Sequence, residues 1–163
     1  RRYTAKEYEE AVYKIRKNLK DASITTDVIV GFPGETEEEF KETYEYLKRL
    51  KLTKTHVFKF SPRKGTRAAS MPDQLDGTIK EKRSKALIEL NDKNEGDFSK
   101  NLIGKQMDVL VEQEVPNKPG IFEGYTRNYV KVEICNGCEN ILGKIVPCII
   151  EEAHGEYVIG RLL

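Results

Sequence analysis

The sequence holds no tryptophan, two histidines, two methionines and three cysteines in 163 residues. So few soft ligands leave no second CxxC to complete a four-ligand zinc site. Three thiols are an odd number in a chain that does not look secreted, so reduced thiols are expected rather than a disulfide framework. No run approaches the ~18 apolar residues of a membrane span. The start, Arg1-Arg2-Tyr3-Thr4, has no apolar segment behind it, so no signal peptide is expected. These absences point to a cytoplasmic protein with no membrane partner. Residue 1 is Arg rather than Met, and the chain is expected to be an excised piece of a longer protein.

The composition is that of a globular chain, 38% hydrophobic and 34% charged, with room for one sizeable core or two small ones. Its net charge of +1 conceals a split. Residues 101–163 carry six basic and nine acidic side chains, a net −3, which leaves +4 for residues 1–100. From Tyr46 to Met71 there is no acid, while Lys48, Arg49, Lys51, Lys54, Lys59, Arg63, Lys64 and Arg67 fall there. Such a run is either a footprint for an anionic partner or a solvated helix end and loop.

Local patterning divides the chain in two. Thr4 with Glu7 forms a capping box before an amphipathic helix whose inner face is Tyr8, Ala11, Val12, Ile15 and Leu19. Residues 24–31 read as a buried strand around Val28-Ile29-Val30. A turn follows, then a second capping box, Thr36 with Glu39, and a helix burying Phe40, Thr43, Tyr44, Leu47 and Leu50. Residues 55–60 read as a second strand. A loop to about Asp76 precedes a third capping box, Thr78 with Glu81, and a helix to about Asn101 with Leu87, Leu90, Asn94 and Phe98 inside. Alternating helices and strands imply parallel strands with crossovers, as in an α/β barrel or an open sheet. From residue 102 the pattern becomes five short strands (107–115, 121–126, 129–134, 142–151 and 157–163), which predicts a small antiparallel barrel. The boundary is placed at 101/102.

In a parallel α/β fold ligands sit at the C-terminal strand ends. That selects residues 31–36 and 61–66. Alternation puts Thr25, Asp27, Ile29 and Gly31 on one face of the first strand, looking into the barrel. His56 is expected on the lumen side of the second, with Phe58 and Phe60. Asp27 is either a ligand group or a strand-end carboxylate with a partner. Gly31 and Gly34 allow close approach of backbone, at the start of a helix that favours anions. Arg63 and Lys64 are candidates for a phosphate or carboxylate. In the second part, Tyr125, Arg127, Asn128, Tyr129 and Lys131 gather on one hairpin, a set suited to local RNA contact. Cys135-Asn136-Gly137-Cys138 has CxxC spacing, but Asn-Gly is a hairpin turn signal and no metal site is expected. His154 beside Gly155 is expected in an exposed turn.

The segment from Ile24 through Thr36, with Gly31-Phe32-Pro33-Gly34-Glu35-Thr36 at its end, resembles the strand-and-turn signature of the radical S-adenosylmethionine methylthiotransferases. His56-Val57-Phe58 and Ser61-Pro62-Arg63-Lys64-Gly65-Thr66 are similar to that family's last barrel strand and loop. Lys82, Arg83, Leu87, Ile88 and Leu90 fit its next helix. Residues 102–163 resemble the RNA-binding TRAM domain. Met71-Pro72-Asp73-Gln74 and Gly124-Tyr125-Thr126-Arg127-Asn128-Tyr129 look most like the branch that acts on threonylcarbamoyladenosine beside the tRNA anticodon.

The resemblance implies a fold, the end of a radical-SAM (β/α) barrel (two parallel strands, three helices) followed by an OB-like TRAM barrel. It implies S-adenosylmethionine and two iron–sulfur clusters in the parent enzyme, one held by three cysteines and one by an N-terminal domain. It also implies addition of a methylthio group to the modified adenosine through a deoxyadenosyl radical, with a further S-adenosylmethionine supplying the methyl group. The expected cofactor-pocket residues are Asp27, Gly31, Gly34, Glu35, Val57 and Phe58, and the partner is the tRNA anticodon stem-loop. The sequence departs from the family pattern in lacking CxxxCxxC and in having Lys59-Phe60 where Pro-Tyr is common. No catalytic or metal-binding residue is therefore expected here, the piece alone is expected to be inactive, and its open barrel edges are expected to self-associate. Three alternatives stand beside this reading. The chain could be a free-standing RNA-binding module, or belong to a branch acting on isopentenyladenosine or on a ribosomal protein.

Overall fold

The structure is a computed structural model describing residues 2–135 and 139–163. It divides into two compact units, Arg1–Asn94 and Glu95–Leu163. The division falls inside a helix, seven residues before the change of patterning at 101/102.

In the first unit, helix α1 (Ala5–Asn18) begins at the expected reciprocal cap, with Thr4 accepting from the Glu7 N–H and Glu7 from the Thr4 N–H. Strand β1 (Thr25–Val30), helix α2 (Glu37–Leu50), capped the same way by Thr36 and Glu39, and strand β2 (Lys54–Lys59) follow. β1 and β2 pair in parallel, Asp27 opposite His56 and Ile29 opposite Phe58. A single 3-10 turn, Arg67–Ser70, lies in the loop before helix α3 (Gly77–Lys100).

The third capping box does not form. The Asp76 carboxylate takes both the N–H and the hydroxyl of Thr78 at 2.7 and 2.6 Å, and Glu81 turns outward to Lys59 at 2.6 Å. Asp is as good a cap as Thr, so the start is set two residues earlier in sequence. α1 also buries less than its periodicity promised: Val12 is in the core, while Ala11, Ile15 and Leu19 are exposed. The core of this unit is Val12, Val30, Phe40, Leu47, Leu50, Leu52, Leu87 and Leu90. Apart from Leu52, in the connection between α2 and β2, these lie on helices or on the buried side of β1, while the other side of the strand pair is exposed.

In the second unit, β3 (Gln106–Glu114), β4 (Phe122–Thr126), β5 (Lys131–Cys135), β6 (Ile145–Ala153) and β7 (Tyr157–Leu162) close a barrel in the order β3-β4-β5-β7-β6. The barrel is mixed rather than wholly antiparallel: β5 and β7 run parallel and the other four pairings are antiparallel. Parity requires this, because strand direction cannot alternate around a closed ring of five. Inward residues Val109, Val111, Phe122, Val132, Ile134, Cys148, Ile150 and Val158 fill it. Gly124 is needed where β4 crosses β3, since a Cβ there would stand 2.0 Å from the Leu110 carbonyl oxygen. Residues 136–138, the middle and end of the CxxC, lie outside the described residues.

Candidate functional site

The uncovered face of the β1–β2 pair carries Thr25, Asp27, Ile29, His56 and Phe58. Ile29 and Phe58 are 55% and 52% exposed, while their neighbours Val30, Thr55 and Val57 turn toward the helices. Alternation placed these residues correctly. His56, expected in a lumen, lies on a face open to solvent in this chain. Beyond the edge of β1 a cavity of about 650 Å³ is bounded by Tyr3, Tyr8, Asp27, Thr43 and Tyr46. It was not foreseen, because a strand edge has no pattern of its own in a sequence.

Both βα turns sit at one rim, as the parallel pairing requires. The Phe60 N–H donates to the Val30 carbonyl at 2.8 Å, and the Phe32 and Phe60 rings meet edge-on at 5.2 Å. Gly31 (φ +72°) and Gly34 (φ +83°) both take the left-handed conformation that β-carbons resist. Their surroundings differ. The stem of Lys80 lies over Gly31, with Cγ 2.4 Å from where a Cβ would be, whereas nothing lies within 4 Å of that point at Gly34. Gly34 is thus the open glycine of the pair.

Glu35 holds this turn together. Its carboxylate accepts from the Gly31 N–H at 2.7 Å and from the Arg83 guanidinium at 2.5 Å. Arg83 also donates to the Glu35 carbonyl (3.0 Å) and to Glu37 (3.2 Å), and lies 5.3 Å from the centre of the Phe40 ring. Arg83 is only 4% exposed, and its Nε has no partner among the described residues. A buried arginine satisfied by a loop carboxylate and a loop carbonyl fixes the loop's shape. The reading of the residues assigned Arg83 no role. The signal was nevertheless present: Arg83, Leu87, Leu90 and Asn94 recur at helical spacing, which puts a cation on the buried stripe of α3. Arg63 and Lys64 are exposed in the loop after β2.

On the barrel, Tyr125, Arg127 and Tyr129 line a cleft of about 870 Å³ together with Asp108, Leu110, Glu112, Thr126 and Ile145. The other two hairpin candidates are turned to local partners. The Asn128 amide oxygen accepts from the Thr126 hydroxyl at 2.6 Å, and Lys131 pairs with Glu123 at 2.6 Å. That pairing raises the pKa of Lys131 and lowers that of Glu123. Thr126 organises the turn. Its hydroxyl takes the Val130 N–H at 3.0 Å, and its carbonyl takes the Tyr129 N–H at 3.0 Å. This leaves Tyr129 in the left-handed region at φ +60° and 85% exposed. Leu110 and Ile145 escaped notice because each sits in an unbroken apolar run, which hides the residue that points outward.

Among the described residues no group of His, Cys, Asp and Glu side chains is placed to hold a metal ion. Cys148 is wholly buried in the barrel core, and burial pushes its thiol up to about 11. Cys135 is a partly buried free thiol. His154 is exposed as expected, 2.9 Å from Glu152 and stacked on Tyr157 at 5.3 Å. Among the described residues no helix is long and apolar enough to cross a membrane.

Comparison with known proteins bears on both units. Residues 1–47 match the Radical SAM superfamily model and residues 100–163 the TRAM domain model. The chain is 39% identical, along all its length, to the threonylcarbamoyladenosine tRNA methylthiotransferase MtaB of Bacillus subtilis, and covers 36% of that protein. It is 39% and 40% identical to the tRNA-2-methylthio-N(6)-dimethylallyladenosine synthases of a Thermoanaerobacter species and of Moorella thermoacetica, again along all its length, covering 34% and 36% of them. The chain spans about a third of the length of these relatives. The chain thus carries a radical-SAM segment followed by a TRAM domain, and along all its length it is similar to about a third of these tRNA methylthiotransferases.

Proposed function

We propose that the chain is the C-terminal part of a tRNA methylthiotransferase that modifies threonylcarbamoyladenosine beside the anticodon. The observation that carries the radical-SAM half is the one-sided burial of the β1–β2 pair. Helices cover one face, and the other presents Asp27, Ile29, His56 and Phe58 beside a preorganised glycine turn. A barrel half would look like this if its remaining strands came from the rest of the parent. S-adenosylmethionine fits this rim. Gly34 leaves room for close approach of its adenosyl end, Asp27 can accept hydrogen bonds, and Phe58 offers an apolar surface. Val57 supplies backbone, Gly31 and Glu35 hold the turn in shape, and Arg63 with Lys64 stand ready for an anionic group at the same rim.

When bound, S-adenosylmethionine supplies the radical and methyl chemistry. The residues of this chain bind, orient and shield it. The clusters would be ligated from elsewhere in the parent, so this piece by itself is inactive. Its partner is the tRNA anticodon stem-loop, held by the barrel hairpin, and its compartment the cytoplasm. The open edge of β1 leads this chain to self-associate when alone.

Relatives named for the two substrates are equally similar to this chain, so the branch rests on residues 71–74 and 124–129. Nucleoside mass spectrometry of tRNA after deletion of the parent gene tests it. The methylthio group should vanish from threonylcarbamoyladenosine and persist on dimethylallyladenosine. The converse would move the chain to the other branch, and no change in either would remove the enzymatic reading. A second reading, a free-standing RNA-binding module, is favoured by the barrel closing without help. An open reading frame beginning near Arg1 would support it.

A further inference from the structure

The barrel cleft differs from a generic phosphate-binding surface. The outer face of three strands carries an apolar row: Tyr125 stands opposite Leu110, and Leu110 opposite Ile145. All three are exposed, at 38%, 43% and 68%. On β3 this row is flanked by Asp108 and Glu112, two residues to either side of Leu110, and both carboxylates are exposed without an ion-pair partner among the described residues. At the turn, Tyr129 stands out into solvent and Arg127 has no carboxylate partner among the described residues.

These features assign different parts of a nucleotide to different places. A ring system can stack on tyrosine and rest on the Leu110–Ile145 row, since every base has an apolar face. Arg127 at the rim can take a phosphate. Two carboxylates in the cleft repel phosphate and accept hydrogen bonds only. They therefore select a base edge that donates. Guanine alone has two adjacent donors, N1–H and the N2 amino group, which match the two oxygens of one carboxylate. Adenine and cytosine place an acceptor beside their donor, and uracil flanks its single donor with two acceptors.

We propose that this cleft holds an unpaired guanine of single-stranded RNA, stacked on Tyr129 or Tyr125, with its Watson–Crick edge read by Asp108 or Glu112 and its phosphate by Arg127. The inference rests on the reading of the barrel as an RNA-binding domain and adds base specificity to it. The net −3 of residues 101–163 accords with it. A surface that held RNA by charge alone would be basic, whereas one that reads an edge need not be.

The test is titration of the 163-residue chain with fluorescently labelled single-stranded pentanucleotides. These have the same flanking residues and carry guanine, inosine, adenine or uracil at the centre. Inosine lacks only the N2 amino group. Guanine should bind about tenfold more tightly than inosine, as one good bidentate base contact allows. In the Asp108→Ala/Glu112→Ala variant that preference should disappear while affinity for the adenine and uracil oligomers stays level or rises, because two negative charges have left the neighbourhood of the phosphates. Tyr129→Ala should weaken all four. Equal binding of guanine and inosine by the unaltered chain would overturn the base assignment and leave RNA binding standing. Absence of binding to every pentanucleotide would overturn both. Thermal unfolding of each variant, expected unchanged for these exposed carboxylates, separates loss of recognition from loss of fold.

Discussion

The tightest polar arrangement in the first unit is the Arg83–Glu35 contact, and its removal has a calculable consequence. In Arg83→Met the side chain keeps most of its volume and its packing on Phe40 but loses three donated hydrogen bonds. Glu35, whose side chain is 15% exposed, is left with the Gly31 N–H as its remaining partner among those described. Breaking a buried ion pair by deleting one partner costs about 3–5 kcal/mol, since the surviving charge is uncompensated. Two facts reduce this. The Arg83 Nε already has no partner among the described residues, so its burial cost is recovered, and Glu37 is 67% exposed, so its share is small. A net loss of about 3 kcal/mol remains, which in a unit of this size corresponds to a fall of about 10–20 °C in melting temperature.

Hydrogen exchange read by mass spectrometry is the suitable assay, because it reports the two units separately. Peptides spanning residues 24–60 should lose protection by about two orders of magnitude, while those from the barrel core around Val109 and Val132 should not change. The double variant Glu35→Leu/Arg83→Met removes both charges and should recover much of the loss. If Arg83→Met protects residues 24–60 as well as the parent chain does, the latch has no energetic role and the turn is held by its glycines alone.

The glycines offer a graded comparison. Gly124→Ala must push a Cβ against the Leu110 carbonyl oxygen at 2.0 Å, a backbone atom that cannot swing away, and should prevent the barrel from closing. Gly31→Ala meets only the flexible Lys80 stem and should cost about 1–2 kcal/mol, mainly from its positive φ; circular dichroism melts of the two variants should rank them in that order. Cys148, with its thiol raised by burial from 9.0 to about 11, favours the fold fully below about pH 9. That contribution is lost as pH rises toward 11, by up to about 3 kcal/mol. The stability difference between the chain and Cys148→Ala in urea titrations should therefore shrink over that interval, and an unchanging difference would refute the burial argument. Tyr129→Gly should raise barrel stability by about 0.5–1 kcal/mol by relieving the left-handed tyrosine, yet weaken RNA binding.

What the sequence disclosed depended on whether a residue's role was local. The caps at Thr4 and Thr36 were legible because both partners lie within one helical turn. The third failed because Asp76, two positions earlier, competes for the same N–H groups. The parallel pairing followed from the alternation of helix and strand. The barrel's single parallel pair was not written in any strand, since it follows from closing five of them. The glycine turn was identified from its sequence, but its latch was not: Glu35 and Arg83 are 48 positions apart, and nothing in either neighbourhood names the other. Likewise Tyr125, Arg127 and Tyr129 were found together because one hairpin carries them. Asp108, Leu110 and Ile145 come from other strands, and only the register brings them beside it.

The exposed apolar side chains argue for the same division between scaffold and working surface. An isolated leucine or isoleucine in solvent needs no explanation. Here the register pairs them instead: Ile29 with Phe58 on one sheet, and Tyr125 with Leu110 and Ile145 on the other. Each set lies on the face that its own core does not use, and each borders polar groups placed to orient something, Asp27 and His56 in one case, Asp108, Glu112 and Arg127 in the other. Folding does not require these rows, because the inward residues Val30, Leu87, Val109 and Val132 are already fully buried without them. An apolar row that the fold leaves open beside polar groups unpaired among the described residues is better accounted for by what it contacts than by what it stabilises. Replacing Ile29 and Phe58 by threonine should therefore leave hydrogen-exchange protection of the first unit nearly unchanged while abolishing binding of S-adenosylhomocysteine by the full-length parent. A matched loss of protection would show instead that the open face is part of the core.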